Sequence, residues 1–345
     1  MATTFKNLAI QPGSTVLVTG VNGFIGSHVA DQFLHAGYRV HGTARDTDKV
    51  SWIAELFTET YGAGRFGLFC VPDIAAEGAF DEAVEGVSAF VHVASNVSFD
   101  ADPAKVIPPA VDGAMNALRA ANGEPSVKRY VLTSSSFAVL LPKPDTAVTV
   151  TKDTWNEESI RIAESPSNIP EQAFHNYAAS KALAEKEVWR AYHEGRTRPD
   201  LVVNTVLPSA NFGKSISVSN QGYPSTSKFI EYLWRGENID QIAGIPPQYF
   251  IDVQDDARLH VAAAIHPGVV NERIFAWAEP YNYDTILDIL RKQNPERDFV
   301  PGFQSGRDIS VVEPRSRAEQ LLRDLGSEGF TSLQESIMMN AEGLL

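Results

Sequence analysis

A glycine-rich turn, Gly20-Val21-Asn22-Gly23-Phe24-Ile25-Gly26, constrains this chain more than any other stretch. It follows a short apolar strand signal, Thr15 to Thr19. It opens a segment from Phe24 to Ala36 whose apolar residues recur at helical spacing, with Gly37 as a natural stop. Glycine at such a junction allows a tight turn, a close approach of phosphate to backbone, and close packing of helix on strand. The amides at the helix N-terminus then face an anion. Strand, turn and helix together predict a dinucleotide site, with Gly20, Asn22, Gly23, Phe24, Ile25 and Gly26 around the pyrophosphate. A plain tight turn is the competing explanation.

The pattern continues beyond the turn. Strands are expected at 38–44, 66–71, 89–94 and 129–133, and helices at 49–60, 79–85 and 103–121, with Pro108-Pro109 near the start of the last. Alternating strand and helix implies an α/β fold, a doubly wound parallel sheet with all strand C-termini on one ligand-binding edge. After Ser136 the periodicity breaks. Residues 137–174 carry Pro142, Pro144, Pro166 and Pro170 and read as an excursion over that edge. A helix over 175–193 and a strand over 201–207 follow. Further helices are expected at 226–235, 253–266, 283–293, 316–325 and 331–339, with a strand at 273–277. The expected organisation is a dinucleotide-binding core over 1–207 and a smaller C-terminal substrate lobe over 208–345, with about 250–277 returning to the core.

Hydrophobic residues make up 43% and charged residues 21% of the 345, which fits a globular chain with a sizeable core. A net charge of −14 argues against nucleic acid or an anionic membrane as the main partner. Cys70 is the single cysteine, so no internal disulfide forms. Its apolar surroundings predict a buried, inert thiol. No signal-peptide pattern or membrane-length apolar run is present, so a cytoplasmic setting is expected.

The chemistry is carried by Tyr177-Ala178-Ala179-Ser180-Lys181. Residues four apart share a helix face, so an ammonium can sit beside a phenol and lower its pKa by roughly 1–3 units. The pattern is short and occurs by chance. A serine cluster, Ser134-Ser135-Ser136, ends the strand 129–133 and can donate to a substrate oxygen, or simply cap the strand end. By position at strand ends, Asp73 and Ile74 would flank an adenine, and Val93, Ala94 and Ser95 a ribose. His92 reads as a packed core histidine.

The G-x-x-G-x-x-G spacing resembles that of the extended short-chain dehydrogenase/reductase superfamily, whose members have the Rossmann fold. Serine, tyrosine and lysine in this order resemble its triad. Val16-Leu17-Val18-Thr19-Gly20, Gly42-Thr43-Ala44-Arg45, the segment from Ser126 to Ser135, Tyr177 to Lys181, Leu141-Pro142-Lys143-Pro144 and Pro246-Pro247-Gln248-Tyr249 are similar to fungal NADPH-dependent carbonyl and aldehyde reductases of the dihydroflavonol 4-reductase-like group. The resemblance implies reduction of aldehydes and ketones, keto esters included, with the pro-S hydride of NADPH. It implies Ser135, Tyr177 and Lys181 as catalytic residues, with Ser134 competing with Ser135. Thr133, Tyr177, Lys181, Pro208 and Ser209 would contact cofactor.

Many NAD-binding members end the second strand in an acid. Here Ala44 stands there, and Arg45 and Lys49 offer cations to a 2′-phosphate, which favours NADP(H); ordinary surface charges are the alternative. Asp46 and Asp48 are expected to start the next helix, and Asp252, Asp255 and Asp256 to cap a later one. The substrate pocket is expected from Asn96, Val97, Ser98, Phe99, Phe137, Phe174, His175, Asn211, Phe212 and Tyr223, suiting a hydrophobic carbonyl compound; any of these aromatics could instead be core. A dihydroflavonol- or 3β-hydroxysteroid-type oxidoreductase remains an alternative. So does a non-catalytic NADP-binding regulator, although such proteins commonly lack the tyrosine–lysine pair. No metal site is expected, and a homodimer is left open.

Overall fold

A computed structural model describes residues 7–97, 99–165 and 169–344. Ser98 and Pro166, both named above, lie outside the described residues. The first half alternates as expected: β1 (Thr15–Thr19), α1 (Phe24–His35), β2 (Arg39–Ala44), α2 (Trp52–Tyr61), β3 (Phe66–Cys70), α3 (Asp81–Val84), β4 (Ala89–His92), α4 (Pro103–Gly123) and β5 (Arg129–Thr133). Next come β6 (Thr149–Val150), α5 (Glu157–Glu164), α6 (Gln172–His193), β7 (Val202–Pro208) and β8 (Ala210–Phe212). The remainder holds α7 (Val218–Gln221), α8 (Lys228–Arg235), β9 (Gln248–Asp252), α9 (Val253–Ile265), β10 (Arg273–Ala276), β11 (Glu279–Tyr281), α10 (Tyr283–Gln293), β12 (Val311–Val312), α11 (Arg315–Asp324) and α12 (Leu333–Ala341). Among the described residues, no helix is long and apolar enough to cross a membrane.

Seven strands form one parallel sheet in the order β10-β7-β5-β4-β1-β2-β3. The central strands carry apolar side chains on both faces because both faces are covered. Val16, Val18, Val91 and Val131 join one buried cluster; Leu17, Phe90, Tyr130 and Leu132 join the other. This period of two splits a continuous apolar run between two cores. Residues of α1, α2 and α9 fill the first core, and residues of α4 and α6 the second. The order turns back between β1 and β4, and the glycine turn opens at this switch point.

A second sheet, β11-β9-β8, carries part of the C-terminal half, while β10 returns to the main sheet. Asp252 ends β9 and caps α9 by accepting from the Gln254 amide at 2.9 Å. Asp255 accepts from Arg258 and from the Thr331 amide, tying α9 to the chain before α12.

Four expectations change. Cys70 is exposed, because β3 is an edge strand and the thiol stands at its last residue. Asp46 does not begin α2; it accepts from the Lys49 amide in a separate turn ahead of it. Residues 157–164 form α5, whose first turn, Glu157-Glu158-Ser159, hides the periodicity; Asn156 caps it, and Ile160 and Ala163 pack on Ala179 and Ala182 of α6. Finally, Pro108 and Pro109 lie inside α4. Proline at 109 leaves the Lys105 carbonyl without its helical donor, and the Asn96 side-chain amide donates to it at 3.4 Å.

The tightest backbone approach is at the glycine turn. Gly20 has φ of +69°, and a Cβ on Gly26 would fall onto the Gly20 carbonyl. Gly26→Ala is therefore expected to lower the unfolding free energy by about 1–3 kcal/mol, read from the urea midpoint. Gly123→Ala, with nothing within 4 Å of the added methyl, should be neutral or stabilise by about 0.4–1 kcal/mol.

Candidate active site

The carboxyl edge of the sheet collects the residues singled out in the sequence. The Gly20 and Val21 amides donate to the Thr43 carbonyl at 2.9 and 3.1 Å, which pins the turn to the end of β2. Gly23 begins α1 with no side-chain cap, and the first turn of the helix carries no acid. Its amides thus remain available to an anion, and the missing Cβ atoms leave room for one to reach the backbone. Ala94 packs on Gly20, a Cβ on which would lie 3.2 Å from the Ala94 Cα.

Thr19 organises the opposite side of the turn. Its hydroxyl accepts from the Val93 and Ala94 amides at 3.0 and 2.9 Å, so its own proton goes to Nδ1 of His92, 3.1 Å away. Burial, and then the charge of Lys181, hold the His92 pKa down at about 3. The ring is neutral, as expected for a packed core histidine.

At the end of β5, Thr133 and Ser134 point to opposite faces of the sheet. Thr133 faces α9, where its hydroxyl meets Nε2 of His260 at 2.8 Å. Ser134 faces α6 and donates to Glu185 Oε2 at 2.7 Å. Ser135 Oγ accepts from the Phe137 amide at 3.2 Å, and its hydroxyl is hydrogen-bonded to Tyr177. Of the two competing serines, only Ser135 therefore has its hydroxyl at the phenol.

Tyr177 and Lys181 come from α6. Tyr177 is half-buried. Burial pushes its pKa up, and the hydrogen bond with Ser135 pulls it partly back. This corrects the expectation of a lysine-lowered phenol: the Lys181 ammonium points past Tyr177 and donates to the Thr133 carbonyl at 3.2 Å. Burial pushes the Lys181 pKa down to about 8, opposed by the carboxylate of Glu185. Ser95 and Lys181 line one small cavity together with His92, Ala94, Thr133 and Ser134.

Three phenylalanines converge on Tyr177. The Phe99 ring lies 4.8 Å from it at 30°, Phe137 lies 6.1 Å away edge-on, and Phe174 is 5.3 Å from Phe99. Phe99 is 52% exposed and Val97 61%, so this wall opens to solvent. Other expected pocket residues are turned elsewhere. His175 meets Ser159 of α5 at 3.0 Å, because two helical positions separate it from Tyr177 by about 200°. Phe212 is buried between Phe250 and Tyr281. The Asn211 amide donates to the Ser209 carbonyl, and the Tyr223 hydroxyl faces Gly343. Asn96 is held to α4 as described above.

The cofactor candidates divide similarly. Arg45 is exposed just beyond β2, and Lys49 pairs with Asp46 at 2.8 Å on the surface. Asp73 accepts from the Ala75 amide, and Ile74 lies on Gly113 of α4. Pro208 ends β7, and the Ser209 hydroxyl donates to the Ala276 carbonyl at 3.1 Å. Two side chains were missed from sequence. Gln221 donates to the Asn22 carbonyl at 3.1 Å, so α7 lies against the glycine turn. Glu185, four residues beyond Lys181, is fully buried. An acid on the apolar face of α6 was the available signal for it.

A family model described as the NAD dependent epimerase/dehydratase family matches residues 16–276. "Aldehyde reductase 2" of Sporidiobolus salmonicolor is 37% identical over 96% of this chain and 96% of its own. "Ketoreductase adrE" of Penicillium rubens is 35% identical over 96% of this chain and 97% of its own. The solved structure of Gre2 from Candida albicans in complex with NADPH superposes with a TM-score of 0.81 at 26% identity, covering 95% of this chain and 98% of that one. With the strand order, the glycine turn and these similarities in agreement, the chain belongs to the NAD dependent epimerase/dehydratase family, within the extended short-chain dehydrogenases/reductases.

Proposed function

We propose that this protein is an NADPH-dependent reductase of aldehydes and ketones, with Tyr177 as proton donor. The observation that carries the reading is the meeting of Ser135, Tyr177 and Lys181 at the edge where the glycine turn leaves its amides uncapped. The relatives support the reaction: one is named an aldehyde reductase, one a ketoreductase, and the Gre2 structure holds NADPH.

The turn fits a dinucleotide, since the bare Gly26 lets α1 rest on the Gly20 carbonyl and brings its uncapped N-terminus to the sheet edge. The amides of Phe24 to Gly26, the Gly20, Asn22 and Gly23 backbone and Val93 to Ser95 would hold NADPH, with Asp73 and Ile74 toward the adenine, Arg45 at the 2′-phosphate, and Thr133, Pro208 and Ser209 near the nicotinamide. When bound, NADPH supplies a hydride to the carbonyl carbon. The Ser135 hydroxyl orients the carbonyl oxygen, and Tyr177 Oη gives that oxygen its proton. The ammonium of Lys181, seated at the Thr133 carbonyl, would hydrogen-bond the nicotinamide ribose. Phe99, Phe137 and Phe174 offer an apolar wall to a hydrophobic carbonyl compound.

Residues 1–207 serve as the dinucleotide-binding core. Residues 208–345 form mainly the substrate lobe, with 250–277 returning to the core through β10. A cytoplasmic location suits a chain with one exposed thiol and no disulfide. The charge of −14 speaks against a nucleic-acid partner.

Two substitutions test the reading. Tyr177→Phe removes the proton donor, and kcat should fall by about 10²–10⁴-fold while NADPH still binds in a fluorescence titration. Turnover near wild type would sink the mechanism. Arg45→Ala removes a charge-assisted contact, so KM for NADPH should rise about tenfold or more while KM for NADH barely changes. Equal changes for both cofactors would refute phosphate recognition.

A further inference from the structure

Glu185 holds a fully buried carboxylate one helical turn beyond Lys181. Every group around it donates. Ser134 Oγ reaches Oε2 at 2.7 Å, Thr205 Oγ1 reaches Oε1 at 2.8 Å, and Trp189 Nε1 reaches Oε1 at 3.2 Å. Arg273, from β10, adds Nε to Oε1 at 2.8 Å and Nη2 to Oε2 at 3.3 Å. The guanidinium is held in turn by the Lys152 and Thr154 carbonyls and lies 3.7 Å from the ring centroid of Trp155. A buried carboxylate with this donor set is fixed in place.

Two consequences converge on the reacting groups. Binding Ser134 to Glu185 anchors the end of β5 on α6. Ser135, the next residue, caps the turn over 136–138 and has its hydroxyl at Tyr177 of the same helix. The negative charge also opposes the burial that depletes the Lys181 ammonium. Around that ammonium, β4 presents neutral His92, α4 presents Ala110 and Ala114, and α6 itself presents Ala184 and the charge of Glu185. From β10, Arg273 reaches Glu185; from α9, His260 faces the Thr133 hydroxyl.

We propose that Glu185 is a positioning residue that locks the Ser134–Ser135 end of β5 onto α6 and keeps the Lys181 side chain in its ammonium form. The proposal rests on the reading of Tyr177 and Lys181 given above. Without the Glu185 charge the ammonium is lost as pH rises through a lower pKa, so function at alkaline pH should fail earlier.

The test measures kcat/KM for NADPH-driven carbonyl reduction against pH in the full chain carrying Glu185→Gln. The NADPH Kd is followed over the same range by tryptophan fluorescence. The alkaline limb of kcat/KM and the alkaline weakening of NADPH binding should both move toward acid by about one pH unit. A carboxylate that served folding alone would lower activity evenly and leave both inflections in place. A folded Glu185→Gln protein with unmoved inflections overturns the charge role, whereas turnover by Tyr177→Phe would sink the underlying mechanism instead. Ser134→Ala provides an arm that survives even where the glutamine substitution fails to fold. It removes one hydrogen bond and no charge, so kcat should drop by about three- to tenfold with the limb unmoved. Wild-type kcat in Ser134→Ala overturns the positioning role.

Discussion

The placement of the site depends on two backbones that touch. Gly26 in the first turn of α1 rests on the carbonyl of Gly20, and Gly20 itself turns with φ of +69° against Ala94. Only glycines allow that approach, and it fixes where the uncapped N-terminus of α1 stands relative to β1 and β4. The strands are parallel, so the ends of β2, β4, β5 and β7 lie on the same edge as this turn. A cofactor held there is presented to whatever side chains the strand ends carry.

A second constraint comes from α6. It brings Tyr177, Lys181 and Glu185, at intervals of four, toward the end of β5. Burial works against the first two. It raises the phenol above its ordinary range and draws the ammonium down to about 8. Ser135 and Glu185 each oppose one of these shifts. Glu185 is held by Arg273, so residues just past β5 and from α6, β7 and β10 form one buried polar network behind Tyr177 and Lys181. Such a network rigidifies its surroundings because every member is satisfied.

Much of this was legible beforehand. The glycine turn, the strand-and-helix alternation and the helices of the C-terminal half emerged from periodicity and glycine placement, and the family resemblance is borne out. Local pattern failed where neighbours decided. Cys70 sits in an apolar run, yet its strand is the last of the sheet. His175 is two residues from Tyr177 but faces α5, and Phe212 follows β7 yet fills the core of the second sheet. Such errors share one cause: proximity along the chain was read as proximity in space.

The sequence by itself determined the fold class, the turn at β1, and the identity of the tyrosine, lysine and serine types, because these depend on spacing and on what each side chain can do. Only the tertiary structure decided which serine meets the phenol, where the lysine points, and what compensates its burial. Those outcomes depend on Glu185 and Arg273, 88 residues apart, meeting behind the strand end. A charge pair of that separation leaves no periodicity in the chain; it exists only once β10 closes beside β7.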